Sequence, residues 1–186
     1  MNLFETIILF IFPFFMIYAA FSDLLTMKIS NKIVLGLIVI FIALAIFIKM
    51  PIAELGMHFG IATIVLIVTF ALFSFGWVGG GDAKLAAATA LWFGSSITLE
   101  YLVYSSMFGG MLTIAILIFR RFPLPFGLDR IIWIARLHKA GSGVPYGIAL
   151  AFSGLIVYPQ TIIFTHFTGQ EAFDGGLFYL LEKLLT

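Results

Sequence analysis

From Phe59 to Val78 the chain reads FGIATIVLIVTFALFSFGWV, and the next seven residues are Gly79-Gly80-Gly81-Asp82-Ala83-Lys84-Leu85. The first part carries no charge and has the length, about 20 apolar residues, that a helix needs to cross the hydrocarbon core of a bilayer. The second part sets a carboxylate where that helix would leave the membrane, behind a run of glycines. An ionisable group at such a depth is costly and is a functional candidate by default.

Outward from this stretch the pattern repeats. Apolar segments cover Leu3–Phe21, Ile33–Met50, Ala83–Leu99, Tyr101–Phe119 and Pro145–Phe167. Of the 186 residues, 62% are hydrophobic and 10% charged, an excess that no water-soluble domain could hide. The expected fold is all-α: one integral-membrane domain, residues 1–186, with six transmembrane helices. Ala83–Leu99 is the shortest segment, rich in Ala and Thr and interrupted near Gly94. Small residues suit close helix packing in lipid, so this segment is expected at the centre of the bundle. Met1-Asn2-Leu3-Phe4-Glu5 lacks the basic start of a cleavable signal peptide, and the first segment is read as a retained helix.

Orientation follows from the basic residues. With both termini outside, the inside loops hold Lys28, Lys32, Lys84, Arg120, Arg121, Arg130, Arg136 and Lys139, while Lys49 and Lys183 lie outside. Glu5, Glu54, Glu100, Glu171, Asp174 and Glu182 fall on the outer side. In the longest inside loop, Ile131, Ile134 and Leu137 recur at helical spacing opposite Arg130, Arg136 and Lys139, which predicts an amphipathic helix over 128–139 in the membrane interface, against lipid headgroups. Leu177–Leu185 is too short to span and is expected on the outer surface.

Asp23 and Asp82 abut helix ends on the inside face. Glycines before Asp82 permit backbone conformations and close approaches barred to other residues. Asp82 opens an apolar helix, where it is placed to cap exposed amides and to gain from the positive end of the helix dipole. Asp23 ends the first helix, where the dipole disfavours negative charge, so the proton shared by the pair is expected on Asp23, with Asp82 the better base. Two carboxylates sharing a proton are the working parts of an aspartic protease: one takes a proton from attacking water, the other hydrogen-bonds the scissile carbonyl. Such chemistry needs no metal and no cofactor.

Cysteine is absent, which removes thiolate zinc sites and a catalytic Cys. His58, His138 and His166 are spread over both faces and are expected as interfacial residues. Trp77, Trp92 and Trp133 near span ends fit an aromatic belt. Net charge is +1, which gives no sign of a nucleic-acid partner. Lys84 either steadies the dyad or meets an acidic group on a substrate, or simply obeys the positive-inside bias. Asn31 is expected to hold its loop by side-chain to backbone bonds. Pro145, Tyr146 and Gly147 line a substrate path or start a helix, with Pro at its first turn.

These residues resemble the type IV prepilin peptidases, in particular the short tight-adherence (Flp pilus) members related to archaeal preflagellin peptidases. Gly79-x-Gly81-Asp82-x-Lys84-Leu85 matches the family's GxGDxKL pattern. Asp23 begins a segment similar to one that ends Ile-Pro-Asn in the family and Ile29-Ser30-Asn31 here. A third match is Gly143-Val144-Pro145-Tyr146-Gly147, followed by Ile148-Ala149 where Pro-Ala is usual. The resemblance implies catalytic roles for Asp23 and Asp82 in a bacterial inner membrane. It implies a prepilin substrate whose short cytoplasmic leader is cut just before an apolar helix. Larger members add a Cys-containing zinc region and N-methylate the new terminus, so peptidase activity without methyl transfer is expected. The rival reading, from another class, is a small proton-coupled transporter or channel using Asp23 and Asp82; both acids lie on one side and none sits mid-span, which counts against it.

Overall fold

The computed structural model describes residues 2–125 and 127–169, and within them the chain is helical with no strand. Helix α1 (Leu3–Thr26) opens on a reciprocal cap: Asn2 Oδ1 accepts the Glu5 N–H at 2.9 Å and Glu5 Oε2 accepts the Asn2 N–H at 2.8 Å. It stops where Met27 turns left-handed, with φ 55°. Helix α2 (Asn31–Phe47) starts after Ser30, whose Oγ accepts the Lys32 N–H at 3.2 Å. Ser30 has φ −67°, a value that a proline ring would also impose.

Helices α3 (Ile52–Ser74) and α4 (Gly80–Phe119) follow, then α5 (Ile132–His138), α6 (Tyr146–Val157) and α7 (Ile162–Thr168). Helix α4 is 40 residues long but is not one rod, because Gly94 inside it has φ 63° and ψ −161°. Asp82 and Thr113 line the same cavity, although a straight helix would hold them about 46 Å apart. The chain therefore folds back at Gly94 into two antiparallel arms, 80–93 and 95–119. The reversal comes earlier than the break expected at Glu100. Glu100 is instead buried in the second arm, where Gln160 Nε2 donates to its Oε1 at 3.4 Å.

Among the described residues three helices, α1, α3 and α4, are long and apolar enough to cross a membrane. The number rises to four if α6 and α7, bent by 49° at their junction, count as one span. The expected six treats the 17-residue α2 as a full pass and each arm of α4 as another.

The first arm of α4 forms the centre, as its small residues suggest: Ala83 and every residue from Leu85 to Gly94 are buried. Helices α2, α3 and α6 pack on it, α1 reaches it through Phe12 and Met16, and α1 and α3 turn Phe10, Phe14, Ile64 and Ile67 outward. Trp92, expected in an interfacial belt, lies in the core instead; its Nε1 donates to Leu37 O at 3.1 Å and its ring meets Phe12 at 5.0 Å. His58 is likewise buried rather than interfacial. Its Nδ1 is 2.7 Å from Leu91 O and its ring stacks on Phe41 beside the Gly94 reversal.

The single amphipathic helix expected over 128–139 does not form. A 3-10 turn, Leu128–Arg130, is separated from α5 by Ile131 in extended backbone. Arg136, expected on the polar face, bonds Leu25 O at 2.9 Å and ties α5 to the end of α1. The segment Leu177–Leu185 lies outside the described residues.

Candidate active site

At one end of the bundle the last turn of α1 and the first turns of α4 and α6 converge around a cavity of about 490 Å3. Asp23, Gly79, Asp82, Thr113, Val144 and Tyr146 are among its walls. A second cavity of about 270 Å3 shares Asp23, Gly79 and Asp82 and extends past Gly81 and Ile29. The two carboxylates thus face common space from different helices.

Asp23 is 5% exposed, in the last turn of α1. Its Oδ2 accepts the backbone N–H of Gly147 at 2.7 Å. Gly147 is the second residue of α6, and its amide is one of those that a helix start leaves without an internal partner. Asp23 therefore sits at the positive end of α6, in addition to the negative end of its own helix. The expected contrast with Asp82 considered α1 alone, and this second helix removes the ground for it. A Cβ at 147 would stand 2.9 Å from Asp23 Oδ2 and Ile29 Cδ1 and 3.0 Å from Asp23 Cβ, so any larger residue must displace the Asp23 side chain or α6.

Asp82 is the third residue of α4. Its carboxylate folds back onto the Gly79 backbone amide, and a Cβ on Gly79 would come within 2.6 Å of Oδ2. Asp82 Oδ1 is buried with no hydrogen-bond partner in the protein. The other glycines of the run serve packing: a Cβ on Gly80 would press on the Phe73 ring at 3.2 Å, and one on Gly81 on Ile29 Cβ at 3.2 Å. Close seating of the α4 start on α3 and on the 27–30 turn is what brings Asp82 to Asp23.

The remaining sequence candidates divide. Tyr146 lines the cavity and lays its ring against Gly109 of the second α4 arm. Pro145 is the N-cap of α6, one position before the first turn, and is not among the walls. Lys84 Nζ donates to Asn31 Oδ1 at 3.1 Å on the exposed side of α4, so these two residues hold each other and not the carboxylates. Asn31 makes this side-chain bond in place of the backbone bond expected of it.

Sequence reading did not single out Met27, Val78 or Thr113, which also line the larger cavity, and it placed Trp77, a further wall residue, only in an aromatic belt. Thr113 comes from the second arm and donates to Gly109 O at 2.7 Å; a lone hydroxyl inside an apolar run was its only signal. Arg120 also went unremarked except as a charge. Its Nε donates to Leu137 O at 2.7 Å, and its Nη2 donates to Ser142 O at 2.9 Å, Ser142 Oγ at 2.8 Å and Gly143 O at 3.1 Å. That guanidinium fixes the strand of chain leading into Val144 and Tyr146, the wall opposite Gly79.

Among the described residues no three His, Asp or Glu side chains gather as metal ligands. Comparison with protein families finds a match to the type IV leader peptidase family over residues 10–114, more than half of the chain and including Asp23, Asp82 and Thr113. No curated protein and no solved structure matches the chain.

Proposed function

Because the chain belongs to the type IV leader peptidase family, we propose that it is a membrane-embedded aspartic endopeptidase that removes the short cytoplasmic leader from Flp-type prepilins or related pilin-like precursors. The observation that carries this reading is that Asp23 and Asp82 line one cavity of about 490 Å3 at a single end of the bundle. Within it, one carboxylate takes a proton from water as the water attacks the scissile carbonyl, and the other, protonated, hydrogen-bonds the carbonyl oxygen. The Gly147 amide holds one oxygen of Asp23, which fixes that carboxylate before substrate arrives. Asp82 Oδ1 is buried with no partner in the protein, so a hydrogen bond to it has to come from water or substrate.

In this reading the chain crosses a bacterial inner membrane six times, with α2 and both arms of α4 as passes and both termini outside. Lys28, Lys84, Arg120 and Arg136 all belong to the end that carries the cavities, which fits a cytoplasmic position. Arg120 and Arg136 spend their donors on backbone carbonyls, so these charges of the inner loop are committed to structure and not aimed at a basic leader. Peptidase activity alone is proposed, without methyl transfer.

Purified protein in liposomes, incubated with a pilin-like precursor and a methyl donor, provides the test. Mass spectrometry should show one cut immediately before the apolar helix and an unmethylated new terminus. An intact precursor, together with proton flux across the same liposomes, would favour the transporter.

A further inference from the structure

Helices α2 and α3 both pack on the first arm of α4 but hardly on each other. The gap is a groove of about 180 Å3, walled by Ile38 of α2 and Ala62 and Leu66 of α3 and floored by Ala88 and Leu91 of α4. Its walls are apolar apart from Thr63, whose hydroxyl donates to Phe59 O within α3, and Lys84. From this arrangement we infer a binding site for one anionic glycerophospholipid, its acyl chain in the groove and its phosphate on Lys84.

Three features select this occupant. Composition is the first: of the ten residues that line the groove all but Thr63 and Lys84 are apolar, which suits an acyl chain. Position is the second. Lys84 and Asp82 are two residues apart, about 200° round the helix, so the groove lies behind the carboxylates and a precursor seated there would present its bond to the wrong face. Charge is the third. Lys84 is exposed and is the one charged residue that lines the groove, so its ammonium is the group a phosphate would meet there. The site does not depend on the peptidase reading and would hold if the dyad cut nothing.

Native mass spectrometry of the full chain, released from bilayers of equal phosphatidylglycerol and phosphatidylcholine, tests the inference. Wild type should retain one lipid, with phosphatidylglycerol favoured about fivefold, the ratio expected of one lysine at a membrane surface. Lys84→Ala should bring the two lipids to parity, Lys84→Arg should keep the preference, and Ala62→Phe, which fills the groove from its lipid-facing wall, should abolish retention of both. Excess inorganic phosphate should change nothing. Equal retention by wild type, an undiminished preference in Lys84→Ala, or retention surviving in Ala62→Phe would each overturn the site. So would competition by inorganic phosphate, or displacement of the lipid by a precursor helix. Lys84 is exposed, so its variants test the headgroup contact even if Ala62→Phe folds poorly.

Discussion

The backbone amide of Gly147 donates to Asp23 Oδ2 at 2.7 Å, joining the start of α6 to the end of α1. A carboxylate that would otherwise face only the negative end of its own helix is thereby held at the positive end of another. The same contact leaves no room for a side chain at 147.

Gly147→Ala should therefore act on the carboxylate itself. The added Cβ would stand 2.9 Å from Asp23 Oδ2, so either the side chain or α6 must move and the hydrogen bond is lost. A hydrogen bond to a charged group is worth about 1.5–3 kcal/mol, which corresponds to roughly a 10- to 100-fold fall in kcat/KM. Steady-state cleavage by variant protein that elutes as a folded species on gel filtration measures it; an unchanged rate would show that this contact does not position Asp23.

Gly94→Ala tests the hairpin. Its φ of 63° with ψ −161° is a backbone region reserved for glycine, and a Cβ would meet His58 Nε2 at 2.7 Å. A loss of at least about 1–3 kcal/mol is expected from the backbone alone. Pairing it with His58→Ala should relieve the collision without restoring stability. Thermal unfolding followed by tryptophan emission reports both; full rescue by His58→Ala would place the whole cost in the side-chain clash.

Arg120→Lys keeps the charge and discards the fork. A lysine cannot bond Leu137 O, Ser142 and Gly143 O together as the guanidinium does, so the wall carrying Val144 and Tyr146 should loosen. The expected result is a rise in KM of about tenfold, the equivalent of one charge-assisted hydrogen bond, with a smaller change in kcat. If the lysine variant matched wild type, the positive charge and not the geometry would be what matters at 120.

Local pattern carried much of this structure. The uncharged run ending in Gly79-Gly80-Gly81-Asp82 located a membrane helix, a close packing point and a buried-edge carboxylate, because each of these depends on residues adjacent in the chain. Small residues placed the first arm of α4 at the centre for the same reason. What escaped depends on contacts between distant segments. The role of Gly147 requires knowing that α6 begins against Asp23, and Thr113 reaches the cavity only because the chain reverses at Gly94. The sequence does show an interruption near Gly94, but the span boundary drawn at Glu100 lies six residues past the reversal, since a buried glutamate with Gln160 beside it looks like a loop residue when read alone. His58 and Trp92 were assigned to the interface on their polarity, yet each satisfies its ring nitrogen on a backbone carbonyl inside the bundle. Of the basic face predicted over 128–139, Arg130 and Lys139 are exposed while Arg136 bonds Leu25 O, a contact with the end of α1 that local spacing does not reveal.

The most direct test is co-expression of a pilin-like precursor with wild type, Asp23→Asn and Asp82→Asn, the precursor's size being followed on a gel. Each substitution keeps the side chain's shape and removes its ability to exchange a proton, so each alone should abolish shortening while the protein stays in the membrane at wild-type level. Normal processing by either variant would contradict the paired-carboxylate mechanism.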